Sequence, residues 1–299
     1  MCGIVGLFLK DKSLEPELGR YLAAMLEVMT DRGPDSAGFA VYGDGRIGLT
    51  KITVRLPKGA DATVLTDKVG DALATGISAA VRGSHVVLQV PEDRVEEALA
   101  AIATVEPGAA VTSVGNAMEV YKEVGLPADV AVAFGLPQMR GTHGIGHTRM
   151  ATESAVTTDG AHPYSTGPDQ CLVHNGSLSN HNLVRRRLIR EGIDFRTEND
   201  TEVAAGFLSW RLREGDQLGD ALEASLKELD GFFTFVVGTE TGFGVLRDPI
   251  ACKPAVMAET DRYVAFGSEY KALTVLPGIE TARIFEPEPA TVYFWDRAA

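Results

Sequence analysis

A cysteine stands second in this chain, in the run Met1-Cys2-Gly3-Ile4-Val5-Gly6-Leu7-Phe8, and a thiol there has chemistry open to it that an internal cysteine lacks. If Met1 is removed, Cys2 carries a free α-amine on its own Cα. Unperturbed, the thiol titrates near ~8.5 and the amine near ~7.7–8.0. Part of the amine is then neutral close to neutral pH and can take the thiol's proton, directly or through a water. Nucleophile and base would share one residue, with no histidine required elsewhere. The bland alternative is a buried, inert cysteine, a common state for a free thiol.

Four other runs hold side chains suited to the same chemistry. Arg149, in His147-Thr148-Arg149-Met150-Ala151-Thr152, ends an apolar strand-like segment. A guanidinium there is costly to bury unless an anion meets it, and its fork matches a carboxylate with two parallel hydrogen bonds. The alternative is a structural ion pair. In Cys171-Leu172-Val173-His174-Asn175-Gly176, the Asn175 amide and the Gly176 N–H could form an oxyanion hole; taken alone, these residues read first as an ordinary Asn-Gly turn. Asp200, in Glu198-Asn199-Asp200-Thr201-Glu202, could bind an ammonium or, like Thr201, cap a helix. Arg32 and Gly33 lie in the loop 31–38, where they could pack beside Cys2 or merely connect a helix to a strand.

The elements that must position these groups follow from periodicity. Residues 3–8 read as a buried strand. Leu18, Leu22, Met25, Leu26 and Met29 repeat at helical spacing, and Gly33-Pro34 ends that helix. Strands at 39–42 and 46–54 around Gly43-Asp44-Gly45 read as a hairpin. Between 58 and 138 the texture changes: strands at 86–90 and 110–114, helices at 91–105 and 118–124, and no cluster of ionisable residues. This reads as an inserted lobe, either a docking surface or padding. A helix from Ser179 would bury Leu183, Val184 and Leu188 and leave Arg185, Arg186 and Arg187 outside. Helices near 203–212 and 219–229 follow, then strands at 232–237, 244–247, 255–258 and 263–267, a short helix capped by Ser268-Glu269, and a closing strand within 284–295. The sum is two sheets covered by helices.

Composition narrows the classes. The chain has 299 residues, 45% of them apolar, which is enough for a real core. A net charge of −13 has the wrong sign for nucleic acid. Cys2, Cys171 and Cys252 have no CxxC spacing, so neither a zinc site nor a disulfide framework is expected. No leader pattern or membrane-length apolar run is seen. A cytoplasmic protein follows as the expectation.

Taken together the runs resemble the class II, N-terminal-cysteine glutamine amidotransferases, a branch of the N-terminal-nucleophile hydrolases. The matching stretches are Cys2 to Gly6, Arg32-Gly33-Pro34-Asp35-Ser36-Ala37-Gly38, His147 to Thr152, His162-Pro163, His174-Asn175-Gly176, Asn199-Asp200-Thr201-Glu202, Asp230-Gly231, Arg247-Asp248-Pro249, Lys253-Pro254 and Ser268-Glu269. They extend over nearly the whole chain and thin in the 58–138 lobe. The resemblance implies an α+β fold, a four-layer αββα sandwich. It implies Cys2 as nucleophile with its amine as base, and Asn175 and Gly176 as the oxyanion hole. Arg149 would hold the α-carboxylate of glutamine and Asp200 its α-ammonium. Arg32 would shape the nucleophile's pocket, with Thr152 and His162 also in the substrate site. Glu153 stands where relatives often carry a histidine.

The reaction implied is release of ammonia from glutamine through a γ-glutamyl thioester. No synthase domain is recognisable after Trp295, so the acceptor chemistry is expected on separate chains. The arrangement is similar to the amidotransferase-type subunit of N-methylglutamate synthase (methylamine–glutamate N-methyltransferase) and to split glutamate synthases. Their partner subunits are of the flavin-containing synthase and glycine-rich β-helix types. No cofactor is expected in this chain, and flavin or iron–sulfur groups would belong to the partners. Two rival readings are a silent assembly subunit and a hydrolase of another amide.

Overall fold

In the computed structural model, which describes residues 2–151 and 155–297, the run after Cys2 forms the strand Gly3–Leu9 with all seven residues buried. Its side chains alternate between two faces. Val5, Leu7 and Leu9 join one apolar cluster, Ile4 and Phe8 another. A strand apolar on both faces has to be covered on both, and this sets the layering.

The strand lies at the centre of a seven-stranded sheet in the order Arg283–Phe285, Val256–Glu259, Tyr263–Gly267, Gly3–Leu9, His143–Arg149, Ser36–Tyr42, Met118–Val124. On its outer face the helix Leu18–Val28 sets Leu18, Leu22, Met25 and Leu26 against Val5 and Leu7. On its inner face a five-stranded sheet packs, ordered Val292–Asp296, Gly242–Arg247, Gly231–Gly238, Gln170–Leu178, Tyr164–Gly167. Val173, Val236, Phe243 and Val245 of that sheet meet Ile4, Phe8, Ala40 and Ile145 of the first. Helices His181–Arg190, Asp200–Arg213 and Leu218–Glu228 cover the far side through Leu188, Val203, Phe207 and Leu222. The layers run helix, sheet, sheet, helix, the αββα sandwich expected.

A third sheet stands apart, ordered Ser78–Arg82, His85–Pro91, Leu49–Arg55, Ala110–Gly115. Helices Ala62–Ala72 and Val95–Val105 close its own core around Ile52, Val54, Val69, Leu88 and Ile102.

Several expectations change here. Leu49–Arg55 does not form a hairpin with Ser36–Tyr42, because both edges of Ser36–Tyr42 are taken by His143–Arg149 and Met118–Val124. It pairs instead with His85–Pro91 and Ala110–Gly115, so the separate sheet begins before residue 58. The 118–124 segment is a strand, not a helix; its Met-Glu-Val-Tyr-Lys-Glu-Val alternation fits a pleat, and it pairs with Ser36–Tyr42 over seven residues. That strand belongs to the main sheet, so the 58–138 span mixes elements of two sheets. The end of the chain gives two strands, one on the edge of each main sheet. On the helix His181–Arg190, Leu183 is exposed and Arg185 is buried. The Arg185 guanidinium lies 4.9 Å from the Phe195 ring centroid and donates to the carbonyls of Thr197 and Asn199 at 2.6 and 3.2 Å. Its stem packs while its fork satisfies two loop carbonyls.

Candidate active site

Cys2 lies one residue before the central strand, and Gly3 pairs with Thr148, so the chain's start meets the end of His143–Arg149. Paired Cα atoms in such ladders sit about 4.5–5.5 Å apart, which brings Arg149 next to Cys2 along the adjoining strand. The approach is close. A Cβ on Gly3 would come 2.8 Å from Thr148 Oγ1, and one on Gly33 would come 2.4 Å from the Thr148 carbonyl carbon. Glycine at both positions lets the 31–38 loop and the first strand share this end of the sheet.

Two elements converge on the Cys2 backbone. Arg32 Nε donates to the Cys2 carbonyl at 3.0 Å, and Asn175 Nδ2 donates to the same oxygen at 3.3 Å from the second sheet. Arg32 is oriented in turn by Glu269, whose Oε1 accepts from Nη1 at 2.7 Å. The Arg32 hydrogen bond and charge hold the Glu269 carboxyl below its ordinary range. Ser268 fixes the strand two residues on, accepting from Ile4 N–H at 2.9 Å. Glu269 holds the N-cap position of a short helix, Tyr270–Ala272, as the sequence suggests, but its side chain makes no cap bond; the Ser-Glu pair after the buried strand Tyr263–Gly267 turns its side chains to the Cys2 end of the fold.

Gly176 follows Asn175 with φ +150°, and a Cβ there would fall 1.9 Å from the Phe232 carbonyl oxygen. Only glycine fits that turn of backbone. Two residues on, Leu178 N–H donates to Asp200 Oδ2 at 2.8 Å, so the carboxylate at the start of the helix Asp200–Arg213 is tied to the Asn175-Gly176 strand. The helix cap is Asn199, which accepts from Thr201 N–H at 2.8 Å, not Asp200 or Thr201. Asp200 is thereby left for another use.

Arg149 is buried, with Nη1 donating to the Ala155 carbonyl at 3.4 Å. Asp35 steadies the backbone around it: its N–H donates to Arg149 O at 3.1 Å and its Oδ2 accepts from Ala151 N–H at 2.8 Å. Met1, Thr152 and Glu153 lie outside the described residues.

His162 is not an open ligand. It is buried, stacked on His147 with centroids 4.0 Å apart. Its Nδ1 accepts from His174 N–H at 3.4 Å and its Nε2 faces Thr201 Oγ1 at 3.3 Å. Thr201 Oγ1 also faces His174 Nδ1 at 3.0 Å. Both ring nitrogens are turned to protein groups, Nδ1 to the His174 backbone and Nε2 to Thr201. Burial pushes His147 down to about 3 and His174 to about 4, and drives His162 well below the ordinary histidine range. The histidines are thus neutral near pH 7, and the 3.8 Å approach of His174 to Asp200 is not an ion pair there.

Among the described residues no group of three or more His, Cys, Asp or Glu is disposed to hold a metal ion, and no helix is long and apolar enough to cross a membrane. Arg32 and Asn175 donate to the Cys2 carbonyl, Gly176 follows Asn175, Arg149 stands on the adjoining strand, and Asp200 is tied to Leu178 two residues beyond Gly176.

Comparison with known proteins gives the family. The model of a glutamine amidotransferase domain matches residues 147–275. The glutamine amidotransferase-like protein GlxB of Rhizobium meliloti is 61% identical over 298 residues, 99% of this chain and 98% of that one. Glutamine–fructose-6-phosphate aminotransferase (isomerizing) of Xylella fastidiosa is 38% identical over 133 residues, 44% of this chain and 22% of that one. Among solved structures, the glutamine phosphoribosylpyrophosphate amidotransferase of B. subtilis superimposes with a TM-score of 0.62 at 20% identity over 99% of this chain. This chain spans about half of that structure, 47% of its length. At that identity the likeness speaks for the fold.

Proposed function

The chain belongs to the class II glutamine amidotransferases, and on that premise we propose that it is the ammonia-releasing subunit of a larger synthase, with Cys2 as nucleophile. Removal of Met1 would free the α-amine, which takes the thiol proton as sulfur attacks the side-chain carbonyl carbon of glutamine. The developing oxyanion is met by the Asn175 amide and the Gly176 N–H. The ammonium so formed at Cys2 returns its proton to the departing nitrogen, the C–N bond breaks, and ammonia leaves a γ-glutamyl thioester. Water, deprotonated by the same amine, cleaves the thioester to glutamate and restores the thiol.

Arg149 takes the α-carboxylate and Asp200 the α-ammonium. Arg32, held by Glu269, fixes the Cys2 carbonyl, and Thr152 is assigned to the substrate side of the pocket. His162, with His174 and Thr201, acts behind Asp200. The observation that carries this reading is the convergence of Arg32 and Asn175 on one oxygen, the Cys2 carbonyl, at 3.0 and 3.3 Å. Ammonia released without an acceptor is wasted, so the reading extends to separate partner chains that resemble the flavin-containing and glycine-rich β-helix subunits of a glutamate-synthase-like or N-methylglutamate synthase complex.

The test is glutamine hydrolysis by purified protein, alone and with co-expressed partners, for wild type and Cys2→Ala. Glutamate and ammonia formed in equal amounts by wild type and lost in Cys2→Ala support the proposal. Wild type and Cys2→Ala that behave alike in both settings refute it, and point to a silent assembly subunit.

A further inference from the structure

The segment 155–161 lies against Arg149. Ala155 supplies the carbonyl to Nη1, and Gly160 backs so closely on the guanidinium that a Cβ there would sit 3.0 Å from Nη1. On its other side this segment is held by the edge strand Met118–Val124. Lys122 is buried and donates from Nζ to the carbonyls of Asp159 and Ala161 at 3.2 and 2.9 Å, with the ammonium 4.4 Å from the Tyr164 ring centroid. Glu123 accepts the Thr158 hydroxyl on Oε1. Its Oε2 accepts from Ser84 Oγ at 3.1 Å, and Ser84 sits in the turn between Ser78–Arg82 and His85–Pro91 of the separate sheet. Arg55, at the end of another strand of that sheet, pairs with Asp159 at 2.6 Å.

We propose that Lys122 and Glu123 are positioning residues for glutamine: they set the 155–161 segment against Arg149, and through Ser84 and Arg55 the separate sheet is joined to the same segment. The proposal deepens the assigned function and rests on Arg149 as the carboxylate site. Its physical basis is that a buried ammonium bridging two carbonyls and a carboxylate bridging two hydroxyls each hold the segment in one position. Charge-assisted hydrogen bonds are the stronger kind, so few such bonds suffice. A cleft of about 570 Å3 between the separate sheet and the main body has Lys122 and Asp159 in its wall, together with Thr197 and Glu202. The Glu202 carboxylate accepts the N–H groups of Arg196 and Thr197 at 2.9 and 2.8 Å, ahead of the helix that starts at Asp200. Lys122, behind the 155–161 segment, and Glu202, which holds the loop before Asp200, therefore border one cleft.

The experiment compares two substrates, glutamine and 4-aminobutanamide, which has the same side-chain amide and amine but no α-carboxylate. Lys122→Met should raise KM for glutamine on the order of tenfold, leave kcat within about twofold, and leave kcat/KM for 4-aminobutanamide unchanged. Glu123→Gln keeps the shape and should show the same pattern more weakly; it decides the matter if Lys122→Met fails to fold. Equal losses on both substrates, or no loss on glutamine, overturn the proposal. Arg149→Ala is the reference. If it discriminates between the substrates and the two variants do not, the positioning role alone fails; if Arg149→Ala does not discriminate, the carboxylate assignment falls and takes the positioning role with it.

Discussion

Replacing Arg32 by methionine keeps most of the buried stem and removes the guanidinium. Two bonds are lost, Nε to the Cys2 carbonyl at 3.0 Å and Nη1 to Glu269 at 2.7 Å. Glu269 is not left alone, since Lys271 Nζ is 3.4 Å from its other oxygen, so the damage concentrates at Cys2. A hydrogen bond from a charged donor contributes about 1.5–3 kcal/mol. At about 1.4 kcal/mol per decade of rate, loss of Cys2 positioning should lower kcat for glutamine hydrolysis by about 10- to 150-fold, with KM nearly constant because the head-group ligands are untouched. Glu269→Gln keeps the Nε bond and weakens only the anchor behind it, so it should cost about threefold or less. The assay is steady-state glutamate release, with thermal melts to confirm that both variants are folded. A folded Arg32→Met enzyme within about twofold of wild-type kcat, or a Glu269→Gln enzyme as impaired as Arg32→Met, would refute the reasoning.

Further expectations follow from the same geometry. Asn175→Ala removes one donor from the site of developing charge and should lower kcat by about 10²–10³, measured as initial rates at saturating glutamine; an unchanged kcat would remove Asn175 from the oxyanion hole. Burial holds His143 and His147 down near about 3, and His85 and His174 near about 4. The folded histidines stay neutral while the unfolded chain takes up protons as pH falls below about 6.5, so stability rises with pH across the window from about 3 to about 6.5. Each fully buried ring costs on the order of 2 kcal/mol by pH 5. Denaturant midpoints should therefore fall from pH 7.5 to pH 5, and a flat profile would contradict the burial of these rings.

The order of elements was legible because their periods were clean. The all-apolar start, the Leu18-Leu22-Met25-Leu26 stripe and the aromatic strands near the C-terminus each have one sensible home. Strand partnership was not legible, because it is decided by which edges are already occupied. The Gly43-Asp44-Gly45 signal suggested a hairpin, yet the strand before it already has neighbours on both sides. The Met118–Val124 segment alternates like a strand, but its Lys and Glu residues fit a helix surface as well, and only its seven-residue pairing decides.

At the site, Cys2, Arg32, Asn175, Gly176, Arg149 and Asp200 are singled out by residue type in short runs; the fold sets Arg32 and Asn175 on the Cys2 carbonyl, Arg149 on the adjoining strand and Asp200 against Leu178. What the sequence did not give was the supporting layer. Glu269 reaches Arg32 across 237 residues, Lys122 and Glu123 reach the 155–161 segment from a strand 35 to 39 residues before it, and Arg185 lies beneath the loop before Asp200 on the wrong-looking face of a helix. A buried cation among apolar neighbours was the one available signal, and it was read as surface for Arg185.

The central claim is that the Cys2 sulfur carries the γ-glutamyl group. The most direct measurement is mass spectrometry of protein quenched in acid during turnover of glutamine. The expected N-terminus begins at Cys2, with the mass of one γ-glutamyl group added to its N-terminal peptide and none on Cys171 or Cys252. Turnover with Met1 retained, or an adduct that persists in Cys2→Ala, would contradict it.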